Sequence, residues 1–228
     1  MAETKLKTFN ISSLQIKEKL NKLSVPNELF DIKENDLDAE ITISELASAF
    51  DIKNAVIALR ENIYAEESIS IYARLSWLLK LRCRKLKTIE QGSGGLIASK
   101  LSLQKESELT LDSGIVFTSN TFIVDNYSIQ PSTITSFGLA SREIISEITK
   151  NIESSTKVDI CVVTLAELEE SDSKPYAFAH AEQGCAEIAI INKSDIMTKQ
   201  IKVPFKSKTK IMNYLAKLTC FMIIEQLK

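Results

Sequence analysis

Thr88-Ile89-Glu90-Gln91-Gly92-Ser93-Gly94-Gly95 is the stretch of this 228-residue chain that decides its fold. The pattern of residues 85–89 predicts a strand, residues 91–95 a sharp turn, and a helix follows from Gly95. Glycines let a backbone turn sharply and approach a ligand, and the first N–H groups of a helix attract anions. The turn is therefore either a tight structural connection or a phosphate cradle. It matches neither the P-loop pattern nor the full dinucleotide-binding fingerprint.

Strands and helices alternate after this turn. Runs rich in Ile and Val predict strands at residues 114–118, 158–165, 185–192 and 199–205. Helices are predicted at residues 141–151 and 208–226, and the second has an apolar stripe formed by Ile211, Leu215, Leu218 and Met222. This alternation predicts an α/β sandwich whose sheet is covered on both faces.

Residues 1–66 differ from the rest in composition and are predicted to be a small helical N-terminal extension, with a second domain over residues 67–228. They contain no glycine and carry 8 Lys and Arg against 12 Asp and Glu. A helix is predicted from Ser12 to Leu23, capped by Ser12 and Gln15, and a second helical region over residues 40–62, opened by Thr42 and Glu45. Residues 31–40 are predicted to be an acidic surface loop, and residues 68–82 a third helix.

Composition indicates an ordinary globular protein. Apolar residues make up 44% of the chain, charged residues 25%, and the net charge is −2 with a pI of about 5.7. This balance gives no electrostatic footprint for nucleic acid or an anionic membrane. The four cysteines form no CxxC pair, residues 1–10 do not resemble a signal peptide, and the longest apolar run, residues 220–224, cannot span a bilayer. We expect a reduced, cytoplasmic protein.

Four segments, in order and at matching spacing, resemble the CinA C-terminal domain family, the nicotinamide-nucleotide amidohydrolases. Residues 88–95 resemble its T-A-E-S-C-T-G-G signature, residues 114–120 its G-x-V-T-Y-S-N motif, and residues 138–141 its G-A-V-S motif. Residues 158–163 resemble the strand that leads into S-G-I-A-G-P. The resemblance covers about residues 75–228 and implies a three-layer α/β/α sandwich, often dimeric. Active members of the family cleave the carboxamide of nicotinamide mononucleotide to nicotinate mononucleotide and ammonia.

The chain departs from the family at the residues that carry this chemistry. Gln91 stands at the position of the nucleophilic serine, Ile123 at the lysine thought to activate it, and Thr118 at the tyrosine. A glutamine amide cannot attack a carbonyl, and an apolar side chain cannot relay a proton. The S-G-I-A-G-P turn is replaced by residues 165–170, which introduce the acids Glu167, Glu169 and Glu170. The resemblance thus predicts a degenerate, catalytically inactive member that acts as a ligand-binding or interaction module.

The remnant of the family's pocket is predicted to be lined by residues of the turn and of the two following motifs. These are Glu90, Gln91, Gly92, Ser93, Gly94, Gly95, Thr118, Ser119, Asn120 and Ser141. The first alternative is an active amide hydrolase that uses Ser93 as a displaced nucleophile, although no obvious base accompanies it and the single histidine, His180, lies far downstream. Neither a metal nor a cofactor is expected, because the acids of residues 167–172 are typical of a solvated loop.

Partners are predicted from the same features. The acids of residues 167–170 would repel a phosphate, so a nucleotide ligand is not favoured, and we expect a homodimer or another protein partner instead. Residues 44–56 resemble a helix-turn-helix, which gives a second alternative: a DNA-binding regulator acting through residues 44–61. The net negative charge around that segment opposes binding to DNA phosphates, so nucleic acid is not the expected partner.

Overall fold

The computed structural model describes residues 4–153, 158–168, 182–193 and 195–228. The helices are α1 Ser13–Lys22, α2 Ala49–Leu59, α3 Ile71–Leu81, α4 Leu96–Ser102, α5 Asn120–Tyr127, α6 Pro131–Phe137, α7 Arg142–Glu153 and α8 Lys208–Leu227. The strands are β1 Thr4–Phe9, β2 Phe30–Asn35, β3 Asp38–Ile43, β4 Ile63–Ala65, β5 Leu86–Glu90, β6 Leu111–Val116, β7 Ile160–Ala166, β8 Cys185–Asn192 and β9 Asp195–Lys202. Two short 3-10 turns, Asn27–Leu29 and Ser107–Leu109, complete the described elements.

The N-terminal region contains a sheet in addition to helices, so the prediction that residues 1–66 are helical is wrong in part. Four strands form an antiparallel sheet in the order β2-β3-β1-β4, and α1 and α2 contact each other beside it. Helix α1 is confirmed, with the predicted capping box between Ser12 and Gln15 and with Ile16 and Leu20 buried.

Residues 30–43 form a β-hairpin where a loop and the start of a helix were predicted. Strands β2 and β3 pair from Phe30 opposite Ile43 to Asn35 opposite Asp38. The burial pattern of β3 has the two-residue period of a strand, because every second residue from Ala39 to Ile43 is buried. The capping box predicted at Thr42 and Glu45 is therefore wrong. The capping box is formed instead by Ser48, the residue before α2, and Asp51 in its first turn.

Residues 44–61 do not form a helix-turn-helix. Residues 44–48 connect β3 to α2 without helical structure, and α2 is the single helix in this fully described segment. The motif needs a first helix to support the recognition helix in a DNA groove. The helix-turn-helix prediction is therefore wrong.

The second sheet has the order β6-β5-β7-β8-β9. Strand β5 pairs in parallel with β6 and β7, while β8 pairs antiparallel with β7 and β9. Residues of α3, α4 and α8 pack on one face of this sheet, and residues of α5, α6 and α7 pack on the other. The predicted three-layer α/β/α sandwich is thus confirmed, although β6 and β9 begin several residues earlier than predicted.

Helix α8 connects the two sheets. Its predicted stripe, Ile211, Leu215, Leu218 and Met222, is buried. On the side of the N-terminal sheet, the ring of Phe9 lies 6.0 Å from that of Tyr214 and 5.5 Å from that of Phe221, measured between centroids. Lys217 Nζ lies 2.7 Å from Asp38 Oδ2, and both side chains are largely buried. Within the described residues, no helix has the length and apolar content needed to cross a bilayer.

Candidate functional site

The glycine turn lies at the edge of the sheet where three parallel strands end. Strands β5, β6 and β7 run in the same direction, so the residues that follow Glu90, Val116 and Ala166 share one edge. Ligands of open α/β sheets bind outside the carboxyl ends of such strands. The predicted pocket residues of the turn and of residues 118–120 are therefore brought to the same edge.

Glycine is required at the three positions of the turn for different structural reasons. Gly94 and Gly95 have φ values of +61° and +82°, which L side chains rarely adopt. At Gly92 the reason is close approach, because a Cβ atom would lie 2.9 Å from the carbonyl carbon of Leu165. A Cβ atom on Gly94 would lie 2.5 Å from Met212 Cε of α8, so Met212 packs directly over the turn.

Glu90 is fully buried, and its carboxylate caps the N-terminus of helix α4. Its Oε1 accepts the Ala98 N–H at 2.8 Å and its Oε2 accepts the Ile97 N–H at 3.0 Å. Thr88 Oγ1 donates to Oε1 at 2.8 Å. A carboxylate at a helix N-terminus is stabilised by the free N–H groups and by the helix dipole. The N–H groups of Ile97 and Ala98 are thus already bound by the protein's own carboxylate, which favours the structural turn over the phosphate cradle.

Ser93 is buried inside the turn. Its Oγ donates to Glu90 Oε2 and shares a hydrogen bond with Thr164 Oγ1, each at 2.7 Å, and none of its surface is exposed. The Ser93 N–H donates to the same Thr164 hydroxyl at 3.3 Å, and the Gly94 N–H donates to the Gln91 carbonyl at 3.2 Å. This hydroxyl anchors the turn to β7 and has no surface for a substrate to reach.

Gln91 and Ile123 occupy the two positions at which the resemblance places the family's serine and lysine. Gln91 is nearly buried, and its Oε1 accepts the Ala166 N–H at 2.7 Å. Ile123 is fully buried in the core between the sheet and α7. Each side chain therefore has a structural role: Gln91 ties the turn to the end of β7, and Ile123 fills the core beneath α5.

The remaining predicted pocket residues belong to helix caps or to the surface. Thr118 is exposed. Ser119 caps α5 by accepting the Thr121 N–H at 3.2 Å, and Asn120 begins that helix as a buried residue. Ser141 precedes α7, accepts the Ile144 N–H at 3.4 Å and donates to the Gly138 carbonyl at 2.8 Å.

Glu167 is buried, which corrects the prediction that it would face a ligand as a repelling acid. Its Oε1 accepts the N–H groups of Leu139, at 3.0 Å, and Ala140, at 3.4 Å. The carboxylate therefore satisfies the backbone of the loop before α7 instead of facing solvent. Glu169 and Glu170, predicted to act with it, lie outside the described residues, as does His180.

Glu187 is a buried acid that sequence analysis missed. It lies on β8 opposite Leu165, on the face of the sheet covered by α7, and both of its carboxylate oxygens are buried without a hydrogen-bond partner among the described residues. Burial raises its pKa, Arg142 opposes that shift, and Glu143 adds to it. The sequence signal that could have identified Glu187 is that it is the single acid within the apolar run of residues 185–192. No group of three metal-binding side chains converges within the part of the chain that the structure describes.

Comparison with known proteins settles the family. The CinA C-terminal domain family matches residues 69–227. This chain belongs to that family. A CinA-like protein from Shewanella pealeana is 28% identical over 175 residues, which cover 75% of this chain and 38% of the relative. The chain thus spans well under half the length of that curated CinA-like relative.

Solved structures of CinA proteins share the fold. A competence-damaged protein (CinA) superfamily protein from Klebsiella pneumoniae has a TM-score of 0.60 at 17% identity, and covers 69% of this chain and 95% of its own. The competence/damage-inducible protein CihA from Agrobacterium tumefaciens has a TM-score of 0.56 at 18% identity, and covers 72% and 97%. At these identities the likeness concerns the fold of the CinA domain alone.

Proposed function

We propose that this CinA-type domain does not hydrolyse amides and instead serves as a binding and interaction module. The burial of the Ser93 hydroxyl between Glu90 and Thr164 carries the proposal. A nucleophile must reach the substrate carbonyl, and this hydroxyl is enclosed. Gln91 and Ile123 supply neither a nucleophile nor a base.

Ammonia release from nicotinamide mononucleotide tests the proposal. We expect no release above that of heat-denatured protein, and no change in Ser93→Ala. An active CinA amidohydrolase assayed in parallel is the positive control. Release that exceeds the denatured control and disappears in Ser93→Ala would establish the alternative, a Ser93-dependent hydrolase.

Binding of phosphorylated ligands at the old site is not favoured, because two internal carboxylates occupy its backbone donors. Glu90 binds the first N–H groups of α4, and Glu167 binds those of Leu139 and Ala140. Calorimetric titration with nicotinamide mononucleotide, nicotinate mononucleotide and ADP-ribose should give no measurable heat of binding. Micromolar affinity that is weakened by Gly94→Val would contradict this expectation.

Self-association is the interaction that the structure supports best. Strand β9 lies at the end of the second sheet and pairs with β8 along one edge only, among the strands described. Ile196 and Met197 are partly exposed on it. An edge strand with unpaired backbone groups and apolar side chains is a template for pairing with another strand. We therefore propose a homodimer in which two β9 strands pair.

Sedimentation velocity tests the homodimer. The double variant Ile196→Glu/Thr198→Glu places like charges opposite each other in an antiparallel β9 pair and should sediment as a monomer. Leu46→Glu is the matched control, because Leu46 is highly exposed but lies in the N-terminal region. A parent protein that remains monomeric at high concentration would rule out this interface.

A further inference from the structure

A groove lies where the N-terminal sheet meets α8 and β9, apart from the glycine turn. Its volume is about 470 Å³, within the range of small-molecule sites. Its apolar surface is formed by Phe9 of β1, Met197 of β9, and Leu218, Phe221 and Met222 of α8. Aromatic and methionine side chains together favour a flat aromatic guest, because sulfur and ring faces both pack well against it.

One wall of this groove holds a buried acceptor that has no partner among the described residues. Within that part of the chain, Gln226 Oε1 makes no hydrogen bond, and its Nε2 lies 3.9 Å from the sulfur of Met197. Buried polar atoms are nearly always paired in folded proteins. The atom has almost no exposed surface, so a ligand N–H or O–H group would supply the missing donor once the Gln226 side chain turns towards the groove.

Among the described residues, the groove also presents a cation, Lys199, without a counter-charge. Its two acids are already paired: Glu225 with Lys228, and Glu61 with Lys19 at 4.0 Å. Among the residues that the structure describes, no carboxylate pairs with Lys199, the cation of the β9 wall. A monoanionic ligand would therefore be complementary to this groove.

We propose that the groove binds a small aromatic carboxylic acid that carries one hydrogen-bond donor. The ring packs on Met197, Phe221 and Met222, the donor pairs with Gln226 Oε1, and the carboxylate pairs with Lys199 Nζ. This site is independent of the proposed function at the glycine turn. Because Phe9 and Asn62 belong to the N-terminal region, the site gives that region a role: it completes the wall opposite α8.

Calorimetric titration of the full chain with indole-3-acetate tests the site, since that probe combines an aromatic body, an N–H donor and a carboxylate. Two comparison compounds separate the contacts. 1-Methylindole-3-acetate lacks the donor, and tryptamine replaces the carboxylate with a cation. We expect indole-3-acetate to bind more tightly than either, by about tenfold for each lost polar contact.

Variants assign the binding to this groove. Lys199→Gln and Gln226→Leu should each weaken indole-3-acetate by about tenfold, the change that follows from loss of one good hydrogen bond. Lys202→Gln is the control, because Lys202 is also an exposed cation on β9 and, although paired with Glu182, does not line the groove. Circular dichroism checks that each variant is folded. The proposal is overturned if millimolar indole-3-acetate does not bind, if tryptamine binds as tightly, or if Lys202→Gln weakens binding as much as Lys199→Gln.

Discussion

Ser93 Oγ and Glu90 Oε2 lie 2.7 Å apart in the interior, at the start of helix α4. The pair joins three elements, because the same carboxylate caps α4 and the same hydroxyl bonds to Thr164 on β7. The sequence alone offered Ser93 as a displaced nucleophile without an obvious base, and the structure places a carboxylate beside it. Its enclosure gives it a structural function instead.

Ser93→Ala should therefore reduce stability and leave function unchanged. The substitution leaves one oxygen of buried Glu90 with a missing donor, which costs about 1–3 kcal/mol of unfolding free energy. Urea denaturation measures the difference. Ser113→Ala is the matched control, because the Ser113 hydroxyl bonds only to Asp112 on the surface. Equal effects of the two variants would contradict the structural role of Ser93.

Restoring the family's residues at positions 91 and 123 should destabilise the fold and should not restore amide hydrolysis. Ile123→Lys places a charge at a fully buried core position and should cost more than about 3 kcal/mol of stability. Ile123→Leu, which conserves volume, should cost less than about 1.5 kcal/mol. Thermal denaturation compares the two. A stable Gln91→Ser/Ile123→Lys protein that releases ammonia from nicotinamide mononucleotide would show that the site is intact.

Glu187 should make the stability of the protein depend on pH. Burial raises the pKa of this carboxyl above its ordinary value of 4.5 in the folded state. The folded protein therefore retains the proton to higher pH than the unfolded chain, so stability falls as pH rises from the unfolded pKa through the folded pKa.

Glu187→Gln removes that ionisation while it keeps the shape of the side chain. At pH 8 we expect the variant to be more stable than the parent by about 1–3 kcal/mol, because no buried charge has to form. Near pH 4 the two should converge. Urea denaturation at both pH values measures this, with the exposed acid Glu18→Gln as the control for the loss of a carboxylate. A parent protein that is more stable than Glu187→Gln at pH 8 would indicate that Arg142 compensates the charge.

The four cysteines should differ in reactivity towards a disulfide reagent such as 5,5′-dithiobis(2-nitrobenzoate). Cys83 is exposed and should react first, and Cys185 is partly buried. Cys161 and Cys220 are buried, and burial raises the pKa of Cys161 to about 12, so little thiolate forms. Mass spectrometry of the native protein should find labels on the first pair, and on all four after unfolding in guanidinium. Rapid native labelling of Cys161 would contradict the core assigned around β7.

Secondary structure was predicted most accurately from the sequence where a residue pattern has a single physical explanation. The strand, turn and helix at residues 85–102 were predictable because glycine adopts the positive φ values found at Gly94 and Gly95 more readily than other residues do. Helix α8 was predictable from its stripe, because Ile211, Leu215, Leu218 and Met222 follow helical spacing and are buried together.

Two local patterns competed in residues 38–51, and the wrong one was chosen. Thr42 and Glu45 match the spacing of a capping box, but the alternation from Ala39 to Ile43 buries three apolar residues in a hairpin. Tertiary burial therefore decided the structure. The division of the chain at residue 66 stays a prediction.

The residues of the candidate site could be named from the sequence, but their contacts with one another could not be predicted from it. Residues 91–95 follow β5 and residues 118–120 follow β6, whereas Ser141 precedes α7. The hydrogen-bond partner of each polar side chain depends on contacts between distant segments. Glu167 accepts from Leu139, which lies 28 residues earlier in the chain. Ser93 bonds to Thr164, which lies 71 residues later. No local pattern encodes such contacts.

The packing of Phe9 against Phe221 of α8 has a consequence for synthesis of the chain. The ribosome releases the N-terminal sheet long before residues 208–227, so Phe9 emerges with no helix to cover it. The first sheet is then held only by its own core, and its face towards α8 remains open to proteases and chaperones. Ribosome-bound chains arrested before residue 208 should be cleaved readily within residues 4–65, whereas chains in which α8 has left the exit tunnel should resist the same protease.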